Sequence, residues 1–400
     1  MSRAADIVIA GAGPAGLIAA AALATSGAEI SVIDPARPVT TDTDASADLR
    51  STAFLRPARA LFDRIGLWPV LARHAQPLQA LRIVDLAGDP PAIRGERTFA
   101  ASDGGDAPFG WNIMNWRVRA ALIEHLSGLP NVKLRFGTGV TGFLPRTVEA
   151  RLTLGTGERL AAQLAIAADG RASPLREAAG IGVDTIRYGQ KSLAFVATHE
   201  MPHHDVSTEI YYHGGPFTLV PLPDVGGRPA SAVVWMNQGP RSAALQAMPE
   251  GAFNAEMNAR SVGLAGQMRL ASPRGVFPII TQRARALTGE RLAVIAEAAH
   301  VLPPIGAQGL NTSVNDIASL LDAVAGCPDP GDAAVLDRYQ RARKGDIAMR
   351  AHMIDLFNRV TRSALPPLQD LRLAGLKAAH DIAPLRRGLM SAGMGPLRAG

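Results

Sequence analysis

Between a short apolar run, Ile7 to Ala10, and an alanine-rich run, Leu17 to Ser26, stands Gly11-Ala12-Gly13-Pro14-Ala15-Gly16, and this pattern restricts the fold more than any other. The opening reads as strand (Asp6 to Ala10), glycine turn, helix (Leu17 to Ser26) and strand (Glu29 to Asp34), which is a βαβ unit. Each part of G-x-G-x-x-G has a mechanical duty there. The first glycine makes the turn, the second lets backbone approach a pyrophosphate, and the third lets helix pack on strand. Asp34 ends the second strand, where its carboxylate can take ribose hydroxyls. The expectation is a dinucleotide site at Gly11, Gly13, Gly16 and Asp34; this motif alone does not separate FAD from NAD. Ile7 to Gly27 is uncharged and long enough to imitate a membrane span, but four interruptions, Gly11, Gly13, Pro14 and Gly16, and the acid Asp6 argue against a span or a leader. No integral membrane topology is expected.

A chain of 400 residues exceeds one ordinary core, so two lobes are expected. Hydrophobic residues at 47% against 19% charged leave enough apolar surface to offset ordering entropy. After Asp34, helices are expected at Ala53 to Ile65, Pro69 to His74 and Met114 to Leu126, with a Gly/Asp/Pro-rich loop from Ala101 to Phe109. A strand at Leu81 to Val84 enters the second lobe; strands at Val132 to Phe136, Val148 to Leu154 and Leu164 to Ala168 belong to the first. From Lys191 to Ile280 alternating runs predict an antiparallel sheet. Leu292 to Ile295 and a helix from Leu310 to Ala325 return to the first pattern. The first lobe is therefore assigned to residues 1–76, 110–182 and 283–342, the second to 77–109 and 183–282, and a helical tail to 343–400.

The single cysteine, Cys327, excludes an internal disulfide framework and cysteine-based zinc clusters, and predicts a reducing, cytoplasmic setting. The net charge of +6 resides in the tail: from residue 343 ten basic residues stand against Asp346, Asp355, Asp370 and Asp381. With Leu, Met and Phe between its charges, this segment suits either an ordinary solvated helix face or contact with an anionic membrane or an acidic partner. Aromatics at 5% and no base-reading motif argue against nucleic acid. His203-His204-Asp205 reads as a surface loop, since adjacent residues rarely converge on one metal ion; no metal site is expected.

The separation between FAD and NAD comes from Leu292 to Asn311, where Pro303-Pro304-Ile305-Gly306-Ala307-Gln308-Gly309-Leu310-Asn311 follows a strand and opens a helix. This segment resembles the second FAD motif of the p-hydroxybenzoate hydroxylase-like aromatic-ring monooxygenases, in which a strand ends in Gly-Asp and a P-P-x-G-x-Q-G-x-N loop passes the flavin. The chain departs from that pattern with Ala296-Glu297. Ala168-Asp169-Gly170-Arg171, followed by Ser173 and Arg176, resembles the family's Asp-Gly motif. Asp48-Leu49-Arg50 resembles its D-x-R segment, and Asn115 stands where the family has a flavin-contacting amide. Tyr211 to Pro223, Val233-Val234-Trp235, and the run around Leu371 to Leu376 are similar to the ubiquinone-biosynthesis branch.

The resemblance implies an α/β fold: a discontinuous Rossmann-like FAD-binding domain, an inserted, mostly antiparallel substrate sheet and a C-terminal helical segment. It implies FAD contacts from Gly11, Gly13, Gly16, Asp34, Arg50, Asn115, Asp169, Gly170, Glu297, Pro304, Gly309, Leu310 and Asn311, with Pro304 and Gly306 shaping the space beside the flavin. His300 reads as a structural imidazole. The implied reaction consumes NAD(P)H and O2 to hydroxylate an aromatic, prenylated phenol of ubiquinone biosynthesis, with no protein nucleophile required. A peripheral contact with the inner membrane face or with quinone-pathway partners is implied for the tail. The alternatives are a flavin-dependent reductase or dehydrogenase of the same superfamily and a non-catalytic flavin-binding partner.

Overall fold

The computed structural model describes residues 5–44, 46–104, 107–361 and 366–382. Ile7–Ala10 lies between Ile30–Asp34 and Leu164–Ala167 in a parallel sheet, with Ile7 opposite both Ile30 and Leu164. Val132–Phe136 extends one side and Leu292–Val294 the other, where Thr288–Gly289 adds a short antiparallel edge. Every residue of Ile7–Ala10, Leu164–Ala167 and Leu292–Val294 is buried. Such continuous apolar strands are what a parallel sheet covered on both faces requires. The covering helix Pro14–Ala24 begins with proline in its first turn, where a missing N–H costs nothing. Its small side chains let it pass closely between the sheet and the helices Asn115–Ser127 and Gln308–Val324.

A second sheet runs in the order His300–Val301, Gly275–Ala284, Val183–His199, Arg228–Gln238, Phe217–Val225, Val206–Tyr211, Ala80–Ala87 and Ala92–Ala100. Its pairings are antiparallel except that Val206–Tyr211 lies parallel to Ala80–Ala87. The alternation of its strands divides two environments. Phe195, Phe217, Leu219, Val233 and Trp235 pack on the helices Gly239–Ala247 and Glu250–Ser261, whereas Ala194, Thr218, Val220 and Val234 face a cavity between the lobes. The fold is therefore the expected α/β arrangement, with a discontinuous Rossmann-like domain, an inserted mostly antiparallel sheet and a C-terminal helical segment.

Several local expectations are corrected. Ala53 to Ile65 is not one helix: Ser51–Leu55 is a strand paired with Gly110–Met114, and the helix Arg56–Arg64 carries Pro57 in its first turn, a position proline favours. The stretch 191–280 is not all sheet, because Leu245, Phe253 and Met257 recur at helical spacing and bury one face of two helices. The expected start of the tail at residue 343 falls inside one continuous helix, Ala333–Thr361. This helix packs on Gln308–Val324, and the buried Tyr339 hydroxyl donates to the Val294 carbonyl at 2.9 Å. Of the tail's charges, Arg343 is buried against Asp316 and Asp346, while Arg350 and Arg359 pair with Asp346 and Asp355. Arg362, Arg386, Arg387 and Arg398 lie outside the described residues. The last described helix, Pro366–Asp381, rests on Ala92–Ala100 through Arg94–Asp370 and Arg97–Asp381 pairs.

Candidate active site

The glycine turn is built by close backbone approach. Gly11 has φ +105°, and a Cβ there would collide with the Ala168 carbonyl; one on Gly16 would collide with the Gly11 carbonyl. Gly13 differs, since nothing stands where its Cβ would be, and its backbone borders the cavity. Gly16 thus lies behind the turn and outside the cavity lining, while Gly11 and Gly13 are within it. Asp34 lines the cavity too, accepting from the Ala12 amide at 2.7 Å and the Ala36 amide at 2.9 Å.

The contact of Gly11 with Ala168 brings the Asp-Gly segment beside the first motif. Asp169 accepts from the Ser173 hydroxyl and from the Leu175 amide, so it holds the start of the short helix Pro174–Ala178. Burial pushes its carboxyl above the ordinary range in spite of these bonds. Arg176 is itself buried and donates to the carbonyls of Arg171 and Ala298, tying Asp169-Gly170 to the turn that carries Glu297.

Asp48 organises a second group. It accepts from Arg50 Nε and Nη2, each at 2.8 Å, from the Asn115 side-chain amide at 3.1 Å and from Arg119 at 3.3 Å. Burial alone would raise the Asp48 carboxyl, but hydrogen bonding and charge from Arg50, with Asn115 and Arg119, hold it below the usual carboxylate range. Arg50 also stacks over Phe277, 4.4 Å from the ring centre. The sequence reading missed Asp48 as the hub and Arg119 as a lining cation. Arg119 stands one helical turn from Asn115, which is the signal that could have found it.

The third group is the loop before the helix Gln308–Val324. Glu297 is exposed within a single helical turn, Ala296–Ala299, lines the cavity, and acts electrostatically on Arg50 and Arg119. Pro304, Gly306, Gly309 and Leu310 line the same space, and Gly309 has open room where a Cβ would stand. Asn311 does not line it. Its side chain donates to Ala53 and Ala307 carbonyls and accepts from the Leu55 amide, so it fastens the helix start to a strand. Beneath the loop, Asp316 accepts from the Ala296 amide, His300 Nε2 and Arg343 Nε at 3.0, 2.6 and 2.8 Å. His300 is thus held structurally, yet it also borders the cavity, and its Nδ1 is buried without a partner.

These groups surround one cavity of about 1250 Å³, above the roughly 300–1,000 Å³ of a single small-molecule site. One end carries two helix N-termini, whose unpaired N–H groups favour anions, beside glycines open to the cavity. The residues present therefore fit an extended, anionic dinucleotide such as FAD, with Gly13 and Gly309 giving its backbone-facing atoms room. The other end lies under the second sheet and the C-terminal helices and is mainly apolar.

Fold and site together are those of a flavin-dependent monooxygenase. The chain belongs to the FAD binding domain family, which matches residues 4–353. It is 31% identical over 402 residues to the ubiquinone hydroxylase UbiL of Rhodospirillum rubrum, covering 100% of this chain and 91% of that protein. It is 28% identical to the 3-demethoxyubiquinol 3-hydroxylase of Escherichia coli, covering 98% of each. The crystal structure of p-nitrophenol 4-monooxygenase PnpA from Pseudomonas putida shares the fold with a TM-score of 0.80 and 19% identity, covering 100% of both chains. Klebsiella pneumoniae HpxO, complexed with FAD and uric acid, does so with a TM-score of 0.76 and 18% identity, covering 98% of this chain and 97% of that one. FAD is the cofactor of this enzyme, and NAD(P)H use is typical of its family. Among the described residues no helix is long and apolar enough to cross a membrane.

Proposed function

We propose that this enzyme hydroxylates the ring of a polyprenylated phenol in ubiquinone biosynthesis. The observation that carries this reading is the division of the cavity: beyond its glycine- and charge-lined end it continues between Leu81, Ile83, Phe99, Val220, Leu356 and Leu376. An aromatic ring with an isoprenoid tail matches such a chamber, because its transfer from water is driven by apolar area. The relatives named above as ubiquinone hydroxylases point to the same substrate class.

In this reading residues 1–76, 110–182 and 283–342 bind FAD, 77–109 and 183–282 hold substrate, and the tail assigned to 343–400 adds Met353, Leu356, Phe357, Gly375, Leu376 and Ala379 to the chamber wall. Gly11, Gly13 and the helix N-terminus behind them would take the pyrophosphate, and Asp34 a ribose. Asp169-Gly170 and Glu297 would flank the ribityl chain, and Arg50 and Asn115, both held by Asp48, would meet the flavin. Pro304, Gly306, Gly309 and Leu310 would shape the ring site, where the N-terminus of Gln308–Val324 favours negative charge. Gly16 and Asn311 would act from behind by fixing turn and helix. Bound FAD supplies reduction by NAD(P)H and activation of O2. The protein's part is to orient the phenol, exclude water and hold these charges in place.

Met349, Met353, Leu356 and Phe357 share one face of the helix Ala333–Thr361 and are exposed, the last three lining the cavity as well. They form an apolar mouth suited to peripheral contact with the cytoplasmic membrane face, where such a substrate resides. The deciding experiment supplies purified, FAD-loaded protein with NADH or NADPH, labelled O2 and a prenylated phenol, and analyses products by mass spectrometry. One labelled oxygen in the ring is expected. Substrate reduction without oxygen incorporation would establish a reductase, and FAD binding with neither reaction a non-catalytic partner.

A further inference from the structure

Strand Val206–Tyr211 turns an acid, Glu209, toward the cavity. Ile210 packs into the core beneath the sheet, whereas Ser207, Glu209 and Tyr211 line the cavity. Glu209 is half-buried there, and the Tyr211 hydroxyl donates to its carboxylate. Its neighbours in register are uncharged: Thr218 on one side and Ile83 on the other. The nearest charged positions on that face, Asp85 opposite Tyr211 and Arg97 opposite Ile83, are engaged with Arg94 and Asp381. From the helix Ala333–Thr361, Phe357 meets Tyr211 edge-on, ring centres 5.9 Å apart. Burial pushes the Glu209 carboxyl up, against the opposing effect of the Tyr211 bond. Among the described residues Glu209 has no cationic partner; an acid so placed against an apolar chamber costs stability, and perturbed acids in clefts cluster at working sites.

We infer that Glu209, positioned by Tyr211, receives the phenolic proton of the bound ring. This rests on the phenol substrate proposed above. The phenol O–H bond breaks, a new O–H bond forms on the Glu209 carboxylate, and the ring oxygen keeps the electron pair. The resulting phenolate pushes electron density onto its ortho and para carbons, which is what an electrophilic oxygen donor requires. No oxidant enters this step. An acid with a raised pKa is a better match to a phenol than an ordinary carboxylate, and positioned general bases contribute on the order of 10²–10⁴-fold.

The test titrates 4-nitrophenol bound to the FAD-loaded enzyme, following the phenolate band by difference absorption. Two groups sharing one proton titrate in two macroscopic steps. Wild type is expected to show part of the phenolate below the probe's solution pKa and the rest above it. Glu209→Gln should collapse this to one step and lower hydroxylation by about 10²-fold, with FAD content unchanged. A single step in wild type, or two steps surviving in Glu209→Gln, overturns the inference. Should the Gln variant not fold, Tyr211→Phe decides: losing a donor to the carboxylate must move the lower step to higher pH, and an unmoved step is equally fatal. Because the titration needs no turnover, failure to hydroxylate prenylated phenols would count against the substrate and leave the proton-transfer readout intact.

Discussion

Ala296 holds a backbone conformation that its methyl group disfavours, with φ +56°. The departure from Gly-Asp seen in the sequence therefore has a physical cost, since a left-handed L-residue gives up roughly 1–2 kcal/mol. The turn persists because the Ala296 amide is bound to Asp316 and Ala296, Ala298 and Ala299 are buried. Ala296→Gly is expected to stabilise the protein by about 0.5–1 kcal/mol after the entropy that glycine adds to the unfolded chain; chemical denaturation measures this. Glu297, next along, borders the cavity near two arginines. If it replaces the family's aspartate at the ribityl chain, Glu297→Ala weakens FAD by about tenfold or more, and Glu297→Asp stays within a few fold because the charge survives. Equal dissociation constants for wild type and Glu297→Ala, by flavin fluorescence, would show that backbone amides suffice.

The helix Ala333–Thr361 carries the largest element-scale consequence. Its Arg343 reaches Asp316, a carboxylate with no exposed surface, in the helix Gln308–Val324. Arg343→Met leaves that charge buried without its guanidinium, and a loss of about 3–5 kcal/mol is expected from the melting or denaturant midpoint. Burial raises the Asp316 carboxyl, but His300 and Arg343 outweigh it and keep it below the ordinary value; Asp48 is lowered likewise by Arg50. A carboxylate whose folded pKa is depressed stabilises fully above its unfolded value and loses that contribution as pH falls through the folded one. Stability should therefore decline as pH drops below about 4, and thermal melts across the acid range check it. Two rulings of local sequence failed here for the same reason. Counting charge from residue 343 treated Arg343 as surface, and the helix expected from Ala53 overran the strand at Ala53 to Leu55, because neither Asp316 nor the Gly110–Met114 partner strand is near in sequence.

At the scale of the molecule, the apolar mouth at Met349, Met353, Leu356 and Phe357 predicts that the full-length enzyme sediments with anionic liposomes. Met353→Glu combined with Leu356→Glu should reduce that binding severalfold while FAD content holds; binding unaffected by these changes and by lipid charge would dismiss the contact. The amino-acid order alone determined the βαβ opening, the two glycine-bearing segments that border the cavity and the two-lobe plan. Each of those is recorded in short-range spacing: glycines that set φ, apolar runs of strand period, and a loop that opens a helix. Only the tertiary structure decided that Ala168 closes on Gly11, that Asp48 gathers Arg50, Asn115 and Arg119, that Gly16 and Asn311 support the cavity from outside it, and that Glu209 faces into it. Those relations are distances between segments far apart in the chain, and they arise when sheets and helices bury their apolar faces, a condition that no local pattern of residues contains.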